Sequence, residues 1–140
     1  MMRTLFLSLS ALLLTACGNG ADVEGASHTP PPIGADLSSM ERGAILYKRC
    51  RACHTLGQGE RNKVGPNLWN VFGATAGARE DFNYSAAMKA SDIVWTDETM
   101  SAYIERPSDY IPGNRMSYAG LRKEQDRADL IEYLRANTGG

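Results

Sequence analysis

The apolar positions of this chain repeat at helical rather than strand spacing. After Ser38-Ser39-Met40-Glu41, where Ser38 and Glu41 have the spacing of a capping box, come Ala44, Ile45, Leu46 and Tyr47, and the pattern predicts a helix from about Ser39 to Lys48. A second stretch opens at Thr96-Asp97-Glu98, with acids in its first turn. It places Met100, Tyr103 and Ile104 at i, i+3 and i+4 and stops before Pro107, which predicts a short helix with one buried face. The last begins near Lys123-Glu124 and sets Leu130, Ile131, Tyr133 and Leu134 on one side against Arg127, Asp129, Glu132 and Arg135, the longest amphipathic helix of the chain. Ser85 to Ala90 adds a helical turn or two. Gly57 to Gly77 carries glycine at 57, 59, 65, 73 and 77 and reads as loop. No segment alternates as a strand would and no repeat is visible, so the expected domain is all-α.

Ahead of this lies Met1-Met2-Arg3 and an apolar run from Leu5 to Ala16 broken only by Ser8, Ser10 and Thr15, the pattern of an export signal. Twelve residues at about 1.5 Å each do not span a hydrocarbon core of about 30 Å, so a permanent membrane helix is the weaker reading. The run ends at Leu14-Thr15-Ala16-Cys17, which resembles the lipobox of bacterial lipoproteins, with Cys17 lipidated and becoming the mature N-terminus. Ordinary cleavage, for instance after Gly18, is the competing expectation. Residues 17–38 are rich in Gly, Ala, Ser and Pro, with Pro30-Pro31-Pro32 inside them, and form a tether with a root-mean-square reach of about 25 Å, longer where the prolines stiffen it. The bland reading of His28 within it is a solvated linker residue. The expected organisation is therefore signal 1–16, lipidated Cys and tether 17–38, and a folded domain 39–140 of about 100 residues, small enough to profit from a cofactor as a staple.

The 140 residues carry 15 basic and 16 acidic side chains. Loss of residues 1–16 removes only Arg3, and from Ser38 onward the balance is 14 basic against 13 acidic. Near neutrality argues against a nucleic-acid partner. Lys48, Arg49, Arg51, Arg61, Lys63, Arg115, Arg122 and Lys123 nevertheless lie in the segments that carry the chemistry, which allows a basic ring around a site.

Cys50-Arg51-Ala52-Cys53-His54 is the strongest signal. Two cysteines at this spacing at a helical end can each add across one vinyl group of a haem, and the adjacent histidine then presents an imidazole nitrogen to the iron. A zinc site would want four ligands, and with Cys17 in the tether the only other candidate, His28, is remote. A thioredoxin-like pair would expect a βαβ setting. A sixth ligand is sought among six methionines. Met1 and Met2 lie in the signal, Met40 at a helix start, and Met100 on a helical apolar face that favours packing, which leaves Met88 and Met116. Met116 lies in Ile111-Pro112-Gly113-Asn114-Arg115-Met116-Ser117-Tyr118-Ala119-Gly120, a Pro- and Gly-bearing loop suited to presenting a thioether, the soft neutral donor that stabilises ferrous iron.

From Gly43 to Thr138 the chain resembles class I cytochrome c, in its mitochondrial and photosynthetic-bacterial branch. The resemblance rests on the haem motif, Gly43 and Tyr47, Gly65-Pro66-Asn67-Leu68, Tyr84, Trp95, Tyr103, Pro107-Ser108-Asp109-Tyr110-Ile111-Pro112-Gly113, Met116, Asp129-Leu130-Ile131 and Tyr133-Leu134. It implies a small fold of three main helices plus one or two short ones wrapped around one covalent haem c. It also implies that the Pro66 carbonyl accepts a hydrogen bond from the proximal imidazole, that Tyr84 and Trp95 donate to a haem propionate, and that Tyr103 lies by the axial sulfur. Plain core packing is the alternative for each aromatic.

The chain departs from the family at three positions. Ala74 stands where arginine is usual beside a propionate, Met88 where asparagine is usual, and Asn114 where threonine is usual. Loss of the cation lowers the expected potential, an apolar Met88 dries the pocket, and Arg79 is a candidate replacement for the missing charge. Tyr47 and Cys50 are also one residue closer than in mitochondrial members.

The expected role is a monomeric one-electron carrier, not an enzyme. By family analogy its donor is a quinol-oxidising complex and its acceptor a terminal oxidase or photosynthetic reaction centre, met on the periplasmic side of a bacterial membrane. The enzymatic rival is a haem peroxidase or gas-binding protein with a labile methionine ligand. A second rival is a binding lipoprotein without haem. Gly18 after Cys17 leans towards the outer membrane of a Gram-negative cell, whereas respiratory partners usually sit in the inner one.

Overall fold

The computed structural model describes residues 37–139. The expected signal, Cys17, His28 and nearly all of the tether lie outside these residues. Five helices follow in order: α1 (Ser39–Tyr47), α2 (Ala86–Lys89), α3 (Asp97–Glu105), α4 (Pro107–Tyr110) and α5 (Glu124–Asn137). Among the described residues there is no strand, only an isolated bridge between Thr75 and Val94, and no helix is long and apolar enough to cross a membrane. The all-α expectation holds.

Local chemistry sets the helix starts. The Ser38 hydroxyl accepts from the Glu41 amide at 3.3 Å while the Glu41 carboxylate accepts from the Ser38 amide at 2.8 Å, so two orphan donors of α1 are satisfied reciprocally. Thr96 and Thr99 form the same reciprocal cap on α3, and Ser85 caps the single turn of α2. Lys48 is the C-cap of α1 rather than its last helical residue. α4 falls where no helix was expected. Pro107 at its first position supplies a preset φ and has no N–H to lose, which starts a turn in a stretch without apolar periodicity.

α1 and α5 cross at a point where only glycine fits. A Cβ on Gly43 would lie 2.2 Å from the Asp129 carbonyl oxygen and 2.6 Å from Tyr133 Cβ. One turn further on, the Tyr47 and Tyr133 rings meet at 5.5 Å. Beside the crossing Asp129, 1 % exposed, takes Arg42 Nε at 2.6 Å and Nη2 at 3.0 Å, with Gln125 Nε2 at 3.0 Å. The core spreads from here through Leu130, Ile131 and Leu134 to Met100, Tyr103 and Ile104 of α3.

The amphipathic reading of α5 needs one correction, because Arg127 and Asp129, expected on its solvent side, are both buried. Arg127 donates from Nε to Ser101 Oγ at 2.9 Å and from Nη1 to the carbonyls of Leu121 and Arg122 at 3.0 and 2.7 Å, with Glu105 at 3.6 Å. A guanidinium so committed can be buried, since its donors are satisfied and its charge is partly compensated. It fastens the end of the 111–121 loop to α3 and α5.

Two outcomes follow from the crossing. Gly43→Ala loses at least about 2 kcal/mol of stability in denaturant titration, because backbone rather than a movable side chain opposes the new methyl. The Arg42 hydrogen bond, seconded by Gln125, holds the Asp129 carboxyl below its ordinary range. A depressed acid stabilises the fold above its unfolded pKa of about 3.9 and loses that contribution as pH falls through the folded value. Asp129→Asn is therefore less stable than wild type near neutrality, with the gap closing in acid, as unfolding curves across pH will report.

Candidate functional site

α1 runs straight into the cysteine motif. Beyond Tyr47 the chain keeps turning, with the amides of Cys50 and Arg51 donating to the Tyr47 carbonyl at 2.8 and 3.0 Å, and those of Cys53 and His54 donating to the Cys50 carbonyl at 3.0 and 2.9 Å. This overwound extension places the two thiols one turn apart. Both are free and partly exposed. Burial pushes the Cys50 thiol up to about 11, so it stays protonated at neutral pH, unlike the lowered thiol of a dithiol oxidoreductase. Among the described residues no group of three or more His, Cys, Asp or Glu could hold a metal ion, so the zinc reading finds no ligand set among them.

His54 is held on three sides. Its Nδ1–H donates to the Pro66 carbonyl at 2.8 Å, which fixes the tautomer and leaves the Nε2 lone pair free. Gly65 lies against the ring, and a Cβ there would come within 2.4 Å of Cε1. Tyr47 donates its hydroxyl to the His54 carbonyl at 3.1 Å. Burial lowers the imidazole pKa, the Pro66 bond opposes that, and the Lys63 charge lowers it further, so the ring is neutral and ready to ligate. The Tyr47 phenol is pushed up to about 12, mainly by burial, and remains a donor.

The loop that supplies Gly65 and Pro66 is itself pinned. Buried Asn67 donates from Nδ2 to Thr55 Oγ1 at 2.8 Å and to the Gly57 carbonyl at 3.0 Å, and accepts from the Trp69 amide at 2.9 Å. Asn62 accepts from the Asn67 amide at 2.7 Å and donates to the Asp81 carbonyl at 2.8 Å, joining this loop to the 79–84 segment. Sequence reading passed over Asn62, although its place in the turn-rich run Asn62-Lys63-Val64-Gly65-Pro66-Asn67 was a signal of a side-chain-to-backbone bridge.

The remaining expected residues gather on the core. Trp95 and Tyr103 are buried with ring centroids 5.1 Å apart, and burial pushes the Tyr103 phenol up to about 12. Half-buried Tyr84 packs edge-on against Phe82 at 4.8 Å. Among the described residues neither the Tyr84 hydroxyl nor the Trp95 indole N–H has a protein partner. Met116 is half-buried against the same core, with Leu68, Val71, Phe72, Ile93 and Tyr118. Met88 and Met100 are buried, the latter as the packing residue it was expected to be. Arg79 is committed to Asp81, with two contacts at 3.0 Å, and reaches the Trp69 carbonyl at 3.4 Å. Its charge is therefore shared with a carboxylate and does not simply replace the arginine absent at Ala74.

These residues fit a covalent haem. Two thiols stand one turn apart beside an imidazole held through Nδ1 by a carbonyl, which leaves Nε2 free, with a glycine where any side chain would displace the ring. Partly covered apolar side chains and the Met116 thioether pack against the same core as Cys50. The sequence profile of the cytochrome c family matches residues 40–138. The chain is 50 % identical over 107 residues to cytochrome c of Stellaria longipes, covering 76 % of this chain and 99 % of that one. It is 50 % identical over 106 residues to cytochrome c of Theileria parva, covering 75 % and 91 %. With a cytochrome c homolog of Bradyrhizobium diazoefficiens it shares 42 % identity over 120 residues, covering 84 % and 65 %. The fold and site define a small haem electron-transfer protein rather than an enzyme. The chain belongs to the cytochrome c family and carries one covalent haem c, with Cys50 and Cys53 in the attachment motif.

The Gly65 contact gives a direct check. Gly65→Ala forces the imidazole or the Pro66 loop to move, costing about 1–3 kcal/mol, and the holoprotein shows a lower denaturation midpoint and a shifted redox potential.

Proposed function

We propose that this chain is a lipid-anchored one-electron carrier working on the periplasmic side of a bacterial membrane. Cys50 and Cys53 are its thioether attachments, and His54 Nε2 and Met116 Sδ its axial donors. The haem, when bound, supplies the one-electron couple. The protein's part is to hold both donors through the redox change and to keep water away, so that little rearranges when the charge on the site alters. The fixed imidazole carries this reading, since a ring held by the Pro66 carbonyl, by Gly65 and through its own carbonyl by Tyr47 is built to keep one orientation.

Tyr84 and Trp95 serve as propionate donors, which suits a hydroxyl and an indole N–H not engaged by other described residues, and Tyr103 stands by the axial sulfur. A filled sixth position makes a carrier rather than a peroxidase or gas binder. Cys17 at the end of Leu14-Thr15-Ala16-Cys17 supports the anchor, and the proline-bearing tether lets the domain travel between a quinol-oxidising donor and an oxidase or reaction-centre acceptor. Lys48, Arg49, Arg51 and Lys63, all exposed beside the attachment motif, suit brief charge-guided encounters of a monomer.

Three measurements test these parts separately. Protein matured with the haem-attachment machinery gives a c-type pyridine haemochrome spectrum and keeps its pigment in acidified acetone; colourless protein sinks the whole reading. Radioactive fatty acid labels the wild type and not Cys17→Ala; absence of label on wild type removes the anchor alone. Met116→Ala lowers the potential and opens the reduced protein to carbon monoxide, whereas fast carbon monoxide binding by wild type favours the gas-binding alternative.

A further inference from the structure

The loop from Ile111 to Gly120 contains no helix or strand, yet it has to present one side chain in one place. At its far end it is fastened by the Leu121 amide, which donates to the Ile104 carbonyl at 2.9 Å, and by Arg127. Its near end turns on the Asn114 amide, which donates to the Ile111 carbonyl at 3.1 Å. Between them the backbone N–H of Met116 has one partner, the side-chain oxygen of Asn114, at 2.8 Å. Arg115 reaches across to the Asn83 carbonyl and is the only basic side chain between Pro107 and Arg122.

The Asn114 amide is used on both sides. Its Nδ2 donates to the Pro107 carbonyl at 2.7 Å and to the Ile111 carbonyl at 2.9 Å, while Oδ1 takes the Met116 amide and, at a long 3.4 Å, the Tyr103 hydroxyl. Two donors face two carbonyls and the acceptor faces N–H and O–H groups. The reversed amide would oppose like with like on both sides, so its orientation is determined by its partners. Pro107 and Ile111 are the first residue and the C-cap of α4. One planar group thus ties the axial methionine's backbone to both ends of that turn and, loosely, to a buried tyrosine of α3.

We propose that Asn114 is the positioning residue for Met116, a clamp that presets the backbone from which the thioether reaches the iron. The inference rests on the assignment of Met116 as axial donor. A smaller or charged replacement makes only part of these bonds. A threonine or serine hydroxyl can accept from the Met116 amide but brings a single donor for two carbonyls. An aspartate, equal in shape, brings none and turns an anionic oxygen towards both. Loosening the clamp leaves the loop's two ends fastened and lets its middle sample positions in which sulfur is withdrawn, so the sixth site is open for a larger fraction of the time. A ligand that binds only the open form then reports that fraction.

The test uses full-length holoprotein of wild type, Asn114→Ser and Asn114→Asp, with Asp129→Asn as a comparison that weakens the fold without touching any Asn114 bond. Three quantities are read: the weak sulfur-to-iron charge-transfer band at the red end of the visible spectrum of oxidised protein, the rate of carbon monoxide binding to reduced protein, and hydrogen exchange at the Met116 amide. The expected order is a full band in wild type, a reduced one in Asn114→Ser and the weakest in Asn114→Asp. Carbon monoxide binding rises by about tenfold or more in Asn114→Asp, Met116 exchange quickens in step, and Asp129→Asn leaves band and rate unchanged. Should Asn114→Asp fail to mature, the serine variant carries the same comparison. A wild type without the band overturns the axial assignment and this proposal with it. A wild type with the band, and Asn114 variants that keep it with unchanged carbon monoxide rates, or an Asp129→Asn variant that loses it equally, overturns the clamp while Met116 stands.

Discussion

The contact between Gly43 and the Asp129 backbone governs more than the two helices it joins. Because no side chain stands between them, α1 and α5 approach until a methyl group would overlap a carbonyl oxygen. Their relative placement then fixes what each leads to. α1 continues without a break into Cys50, Cys53 and His54, so the attachment points inherit its direction. α5 carries Arg127, whose guanidinium holds the carbonyls of Leu121 and Arg122 where the methionine loop ends. The attachment motif and the far end of the methionine loop are thus referred to one close crossing, beside which Arg42 and Asp129 pair.

Much of this was legible in the sequence, for identifiable reasons. Caps are local chemistry, so Ser38 with Glu41 and the acids after Thr96 marked two helix starts within about one residue. The attachment motif was legible because covalent chemistry tolerates little variation in spacing. α4 was not, since its reason is a proline's fixed φ rather than any periodicity. Arg127 and Asp129 were assigned to solvent because a pattern argument sends charges outward. What reverses that is a set of partners on other elements, Ser101, Leu121 and Arg42, that the helix's own sequence does not contain. Asn114 was visible as a departure from the family, but not as a clamp, because three of its four partners are backbone groups that any residue could supply.

The departures also alter the electrostatics around the haem. Ala74 removes a cation, and Arg79 spends its charge largely on Asp81, whose carboxyl is held low chiefly by that arginine. Met88 brings a buried thioether to a place where the family commonly has an amide. On the family resemblance, one change would disfavour the reduced site by withdrawing positive charge, while the other would remove a dipole and with it a foothold for water. Tyr103, with its phenol pushed up to about 12 by burial, keeps its proton near neutrality and so keeps a hydrogen-bonding group beside Asn114.

The absence of lysine and histidine from the stretch between Pro107 and Arg122 bears on how the proposed Met116 coordination would fail. Guanidinium groups hold their protons to extreme alkalinity and offer metals no lone pair. If the thioether lets go, the loop has no amine or imidazole of its own to put in its place. On the proposed coordination, failure would then expose the position to solvent and small molecules before any donor of this loop could fill it, and the fidelity of electron carriage would rest on how firmly a single amide holds the loop from which the sulfur hangs.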